Sequence, residues 1–317
     1  MKVMENYQEL ISSHEPKAVA LGNFDGIHLG HQALMKKLVH ESHTRNLVSA
    51  VYTFQNHPGT VLDDHQKIIF PSKITPIPLK KKIMGKMGIE LLFLDTFTPQ
   101  LMLMSPEEFV KTILIDRLFA RLVVVGEDFR FGKAASGNIH LLHELATVFN
   151  YELMVVPPVY HDHQKISSSQ IRMEIEMGNM EKVTQLLGRP FMMFNRIERG
   201  FGRGKKLGYP TANLILEEQQ MVPAEGVYAT CVRVDDKLFM GATSVGNNPT
   251  FGSQHTTIET YIIDSDLMLY EREIELYFYK KLRDQIAFEE VEALKNQIQQ
   301  DVQDIKDYLQ THKIMIV

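Results

Sequence analysis

The feature that most constrains the fold is an apolar run, Ala18-Val19-Ala20-Leu21, that passes through a glycine-containing loop into a helical pattern and returns as a second apolar run. Four consecutive apolar residues suit a strand buried on both faces. Residues 30–42 place Leu34, Leu38 and Val39 on one helical face, and residues 49–54 read as the next strand. Strand, helix and strand within roughly 35 residues form a βαβ unit, and that crossover implies parallel strands. Further strands are expected at residues 91–94, 122–126 and 153–156, with helices at 80–87, 106–119 and 139–149. Pro106 after Ser105 is a good helix start, and Glu107 and Glu108 complement the positive end of its dipole. The alternation predicts an α/β doubly wound, Rossmann-like domain.

The pattern changes near Leu187-Gly188-Arg189-Pro190, which reads as a helix end followed by a breaker. Beyond it, short strand-like runs at residues 226–229, 241–245, 258–263 and 274–278 are separated by Gly, Pro and Asn. That spacing predicts a small antiparallel β-barrel. Val291, Leu294, Ile298, Val302, Ile305 and Leu309 then step by three or four and predict a C-terminal helix. A chain of 317 residues exceeds one ordinary core, so two domains are expected, residues 1–186 and 187–317.

Charge narrows the partners. Lys and Arg number 34 against 39 Asp and Glu, a formal charge of −5, which gives no global pull toward nucleic acid or an anionic membrane. A phosphate ligand must therefore be held by local groups. The single cysteine, Cys231, allows no intrachain disulfide and suits a buried position in a strand. The first ten residues lack the apolar core of a signal peptide, and no apolar run approaches bilayer length. A cytoplasmic protein, monomeric or transiently homo-oligomeric, is expected.

Gly22-Asn23-Phe24-Asp25-Gly26-Ile27-His28-Leu29-Gly30-His31 joins the first strand to the first helix. Ligands of open α/β sheets bind at the carboxyl ends of strands. Gly26 and Gly30 permit close backbone approach, and the helix start offers N–H groups to an anion. His28 and His31, three residues apart, can both face one phosphate. Two histidines near a helix start are also compatible with plain solvation, and without neighbouring Cys or carboxylate ligands they make a weak zinc site. Asp128, in Val125-Gly126-Glu127-Asp128-Phe129-Arg130-Phe131-Gly132-Lys133, fits a hydrogen-bond acceptor, a metal ligand or a turn former. Ser167, Ser168 and Ser169 before Arg172 read as a helix cap or as part of an anion pocket.

These segments resemble the FMN adenylyltransferase branch of the nucleotidyltransferase superfamily, whose core is His-x-Gly-His. The resemblance implies nucleotide binding by Gly22, Asn23, Phe24, Asp25, Gly26, Gly30, Asp128, Ser167, Ser168, Ser169 and Arg172, and catalysis by His28 and His31. It also implies flavin contacts from His57, Pro58, Phe129 and Phe131. Gln55-Asn56 replaces the acid and first proline usual before His57-Pro58.

A second constellation runs from Gly200 to Asn213 and is dense in glycine and cations. It reads either as a basic hairpin or as a flap over phosphates. Thr211 and Asn213, two apart on an extended segment, point to one side and offer hard oxygen ligands that suit Mg²⁺. The segment Gly208-Tyr209-Pro210-Thr211-Ala212-Asn213 strongly resembles the riboflavin kinase signature. By that resemblance Gly202, Gly204, Lys205, Gly208 and Pro210 bind ATP, Thr211 and Asn213 position Mg²⁺–ATP, Asn247 and Arg283 contact flavin, and Glu259 is the catalytic carboxylate. Read from its own strand, Glu259 is an ordinary solvated residue.

Together the motifs resemble the bifunctional bacterial riboflavin kinase/FMN adenylyltransferase (FAD synthetase) family from about residue 15 to residue 310. The resemblance implies ATP-dependent conversion of riboflavin to FMN and of FMN to FAD. Near the chain end Glu271, Gln285 and Ala287 depart from the family pattern. That departure motivates an alternative, a monofunctional FAD synthetase with a silent barrel. The basic stretch 196–206 motivates another, a flavin-responsive module binding RNA or protein, against which the acidic net charge argues.

Overall fold

The structure is a computed structural model that describes residues 1–5, 14–56, 72–198, 204, 207–216, 220–248, 255–265, 267 and 272–312. It separates into two compact units, Met1–Ser167 and Ser168–Val317.

The first unit is built on six parallel strands: β1 (Lys2–Met4), β2 (Lys17–Leu21), β3 (Val48–Phe54), β4 (Leu91–Asp95), β5 (Ala120–Gly126) and β6 (Glu152–Val156). Their order is β1-β4-β3-β2-β5-β6. The chain moves outward from β2 to β3 and β4, then jumps back across β2 to β5. The loops after β2 and β5 therefore diverge and open a crevice at their carboxyl ends.

Alternation along the strands sorts two cores. Val19, Leu21, Ala50, Tyr52, Phe93, Val123 and Val125 face one side. That side is covered by α4 (Pro106–Phe109), by its π-helical continuation Val110–Arg117 and by α5 (Ile139–Phe149). Ala18, Ala20, Val51, Leu92, Leu122 and Val124 face α1 (Leu29–Thr44) and α2 (Ile77–Lys86) on the other. The expected cap of α4 is present as a capping box between Ser105 and Glu108. A short helix α3 (Pro99–Leu103) and a hairpin of β7 (Tyr160–His161) and β8 (Gln164–Lys165) complete the unit.

The second unit opens with α6 (Ser168–Met177) and α7 (Met180–Leu187). Six antiparallel strands follow: β9 (Phe191–Glu198), β10 (Thr211–Leu214), β11 (Gly226–Val234), β12 (Lys237–Asn248), β13 (His255–Ile262) and β14 (Glu273–Arg283). They close as a barrel in the order β10-β13-β12-β11-β14-β9. The helix α8 (Val291–Thr311) lays Ile305 and Leu309 on the outer face of the barrel, against Ala229, Cys231 and their neighbours. Cys231 is buried as expected, and that burial pushes its thiol up to about 11. The units divide ahead of the break expected after residue 186, because α7 packs on β9 and β14. Among the described residues no helix is long and apolar enough to cross a membrane.

Candidate active sites

In the first unit the loop between β2 and α1 is wound tightly. Phe24, Gly26 and Ile27 have φ of 50°, 83° and 42°. For Phe and β-branched Ile that left-handed backbone costs about 1–3 kcal/mol each, so the surroundings must enforce it. Asp25, only 6% exposed, does so. One carboxylate oxygen accepts the N–H of Gly26 and of Thr75, both at 3.0 Å, and the other accepts Ile74 N–H at 3.2 Å. The carboxylate thus clamps the loop to the segment ahead of α2. The Gln32 amide holds the Ile27 carbonyl at 2.9 Å, and the Thr53 hydroxyl holds that of Asn23 at 3.1 Å. Gly22 has no room for a side chain, since a Cβ there would come within 2.9 Å of the Phe24 ring.

The clamp delivers the two histidines. His28 caps α1, its Nδ1 accepting the His31 N–H at 3.4 Å. The two imidazoles stack with centroids 3.7 Å apart, and Phe24 meets His31 edge-on at 5.3 Å. Gly30 keeps this stack open, for a Cβ there would lie 3.1 Å from the His28 ring.

Asp128 stands on the loop after β5. Lys165 binds its carboxylate at 2.7 Å and, with a smaller pull from His28, holds the carboxyl below its ordinary range. The loops after β2 and β5 therefore come within electrostatic reach of each other across the switch point.

Beside them lies a cavity of about 550 Å³. Gly22, Asn23 and Asp128 form part of its lining, while Tyr52, Phe54, Phe97, Phe109, Phe129 and Phe131 give it an aromatic character. The rings are pinned against each other: Phe129 stacks on Phe131 at 5.7 Å and Phe54 meets Phe97 edge-on at 5.2 Å. Phe129 and Phe131 were expected here from sequence. Tyr52, Phe54, Phe97 and Phe109 were not; alternation marks Tyr52 and Phe54 as sharing one face of β3, but says nothing about which face meets a ligand. Ser167 closes the first unit, and Ser168, Ser169 and Arg172 lie in α6 at the start of the second. His57, Pro58, Gly202 and Lys205 fall outside the described residues.

On the barrel, Asn213 pairs with Glu259 across β10 and β13, and Thr211 pairs with Tyr261. Directly opposed residues project to the same face, so Thr211, Asn213 and Glu259 share one patch. The Thr211 hydroxyl donates to Glu259 Oε2 at 3.1 Å. All three are half-buried, whereas Ala212, Leu214, Ile258 and Thr260 point inward. Gly204 folds over this patch: Tyr209 N–H binds its carbonyl at 2.9 Å, and a Cβ would meet Tyr209 O at 2.3 Å and Thr211 Oγ1 at 3.3 Å. Gly208 has φ of 90°, and Pro210 directly precedes β10. Asn247 lies in β12 opposite Thr256.

Arg283 ends β14 in a bidentate pair with the buried Asp301 of α8, at 2.9 and 2.6 Å. Its guanidinium therefore ties helix to barrel. Gln285 donates to Ser244 Oγ at 2.8 Å and to the Val245 carbonyl at 3.0 Å. A glutamate there would set a carboxylate against that carbonyl, so the departure from the family pattern has a local physical reason.

Among the described residues no cluster of three or more His, Cys, Asp or Glu is arranged to hold a metal. The oxygens of Thr211 and Asn213 nevertheless suit a cation that keeps most of its ligands from water and phosphate.

The family model described as FAD synthetase matches residues 10–170, and that described as riboflavin kinase matches residues 187–309. The bifunctional riboflavin kinase/FMN adenylyltransferase of Buchnera aphidicola subsp. Schizaphis graminum is 34% identical over 97% of this chain and 99% of its own length. The protein of the same description from Listeria monocytogenes is 36% identical over 92% of each chain. The crystal structure of a macrolide-efflux protein from Streptococcus pneumoniae is similar with a TM-score of 0.87 and 30% identity, covering 96% of this chain and 98% of that one.

Proposed function

We propose a division of labour for this chain, which belongs to the bifunctional riboflavin kinase/FMN adenylyltransferase family: residues 187–317 phosphorylate riboflavin to FMN with ATP, and residues 1–186 adenylylate FMN to FAD. The observation that carries the second assignment is the aromatic cavity beside the histidine loop. A flavin ring is flat and largely apolar, and aromatic walls bind such a surface well.

In adenylyl transfer, an oxygen of the FMN phosphate attacks the α-phosphorus of ATP. The bond from that phosphorus to the bridging oxygen breaks, and pyrophosphate leaves with the electron pair. The protein needs no covalent intermediate; it positions two anions and offsets the charge that gathers between them. His28 and His31 donate to the phosphates, with backbone N–H groups from the start of α1. Asp25 contributes by fixing the loop. Ser167, Ser168, Ser169 and Arg172 bind ATP phosphate through hydroxyl and guanidinium groups, and Asp128 faces the nucleotide.

On the barrel, Glu259 accepts the proton of the primary ribityl hydroxyl as that oxygen attacks the γ-phosphorus of ATP; the bond from that phosphorus to the β,γ-bridging oxygen breaks, and ADP leaves with the electron pair. Gly202, Gly204, Lys205, Gly208 and Pro210 cover the phosphates. Thr211 and Asn213 would hold Mg²⁺, which would neutralise phosphate charge. Asn247 contacts the flavin. A cytoplasmic setting fits the single buried thiol of Cys231.

Separate sites make a direct test. Glu259→Gln is expected to lower FMN formation by on the order of 10²–10⁴-fold while leaving FAD formation from supplied FMN intact. His28→Ala with His31→Ala is expected to do the reverse. Equal loss of both activities in either variant, measured by product chromatography, contradicts the assignment.

A further inference from the structure

Lys80 sits on α2 and is only 3% exposed. Its ammonium donates to the carbonyl of Asn23 at 2.7 Å. Burying a cation is costly, and here desolvation lowers the lysine pKa to about 8. Asp25 offsets part of that cost by attraction, and Lys73, which donates to the Gln55 carbonyl at 3.1 Å, adds to it by repulsion.

Local packing does not demand the charge. The Asn23 carbonyl already accepts the Thr53 hydroxyl at 3.1 Å, and Leu79 and Met84 anchor α2 in the core. Desolvation of the Lys80 ammonium outweighs its attraction to Asp25, so the charge is carried at a net cost. What the charge does hold is a junction. Gly22 and Asn23 line the aromatic cavity, and the next residues make the left-handed turn that ends in His28.

We infer that Lys80 is a positioning residue for adenylyl transfer: its buried ammonium, seated on the Asn23 carbonyl, fixes the junction between the cavity and the histidine pair and sets a positive charge behind the loop where two phosphates meet. This rests on the assignment of FMN adenylylation to that loop.

Lys80→Met separates positioning from plain structure. The cost of burying the charge is fully present below about pH 8 and is relieved as pH rises toward the ordinary lysine range. At neutral pH the variant should therefore melt at or above the wild-type temperature. FAD formation from FMN should nonetheless fall by on the order of 10- to 100-fold, mainly in kcat. Riboflavin phosphorylation by the same chain should not change. The wild-type to variant rate ratio should shrink from about pH 7 to about pH 9.5 as Lys80 gives up its proton. Wild-type FAD formation in the variant, a ratio constant across that range, or activity and melting temperature falling together (failure to fold included) overturns the inference. A wild-type protein that makes no FAD overturns the underlying assignment as well, which distinguishes the two failures.

Discussion

Asp95 ends β4 with one carboxylate oxygen on the Tyr52 hydroxyl at 2.5 Å and the other on the Thr96 N–H at 2.8 Å. Burial raises its pKa to about 6, against opposing pulls from Thr96 and Arg117. Between about pH 4 and pH 6 the folded protein thus binds more protons at this site than the unfolded chain, so its contribution to stability falls as pH rises through that window. Asp95→Asn has no such titration. Urea unfolding should show the stability of wild type relative to this variant declining from about pH 4 to about pH 6; a flat difference would contradict it. At this scale the sequence was informative where a residue type is rare in its setting. His28 and His31 stack at the start of α1, and the rings of Phe129 and Phe131 line the cavity. Lys80 was invisible because it is the first of three consecutive lysines, and only packing turns it inward while its neighbours stay more open. Asp25 was expected at the nucleotide, yet its carboxylate is engaged with backbone N–H groups.

At the scale of elements, the periodicities that predicted β2, α1, β3, β5, α5 and α8 are those of long or fully buried segments. The short pieces escaped. β1 is three residues long and becomes a strand only by pairing with β4, and β7 and β8 have two residues each. The barrel was legible from turn spacing, but the pairings of β9 with β14 and of β10 with β13 that close it are long-range and no local pattern encodes them. The Arg283–Asp301 pair shows what such tertiary links do. Ile305 and Leu309 each contribute roughly 1.5–3 kcal/mol by burial, so α8 stays docked without the pair. Asp301→Ala should still cost about 3–5 kcal/mol, because it strands a guanidinium that is 18% exposed. Urea unfolding should register that loss together with faster amide exchange in α8; a loss under about 1 kcal/mol would mean that the pair behaves as a surface ion pair.

The whole molecule couples two chemistries in one chain, and the order of reaction follows from them: the barrel makes the phosphate that the α/β unit uses as nucleophile. Fold class and both motif sets were legible because each was carried by a long run of unusual residues. The cavity was not, since its rings come from β3, α4 and the segments after β4 and β5, and only the assembled switch point brings them together. The departures at Gln285 and Ala287 left the kinase step open from sequence, whereas Gln285 proves to be hydrogen-bonded into β12 and Thr211, Asn213 and Glu259 share one patch. The most direct measurement is a time course of products from riboflavin, ATP and Mg²⁺. The account predicts FMN rising first and FAD following at its expense. FAD formed readily from supplied FMN, with no FMN ever formed from riboflavin, would contradict it.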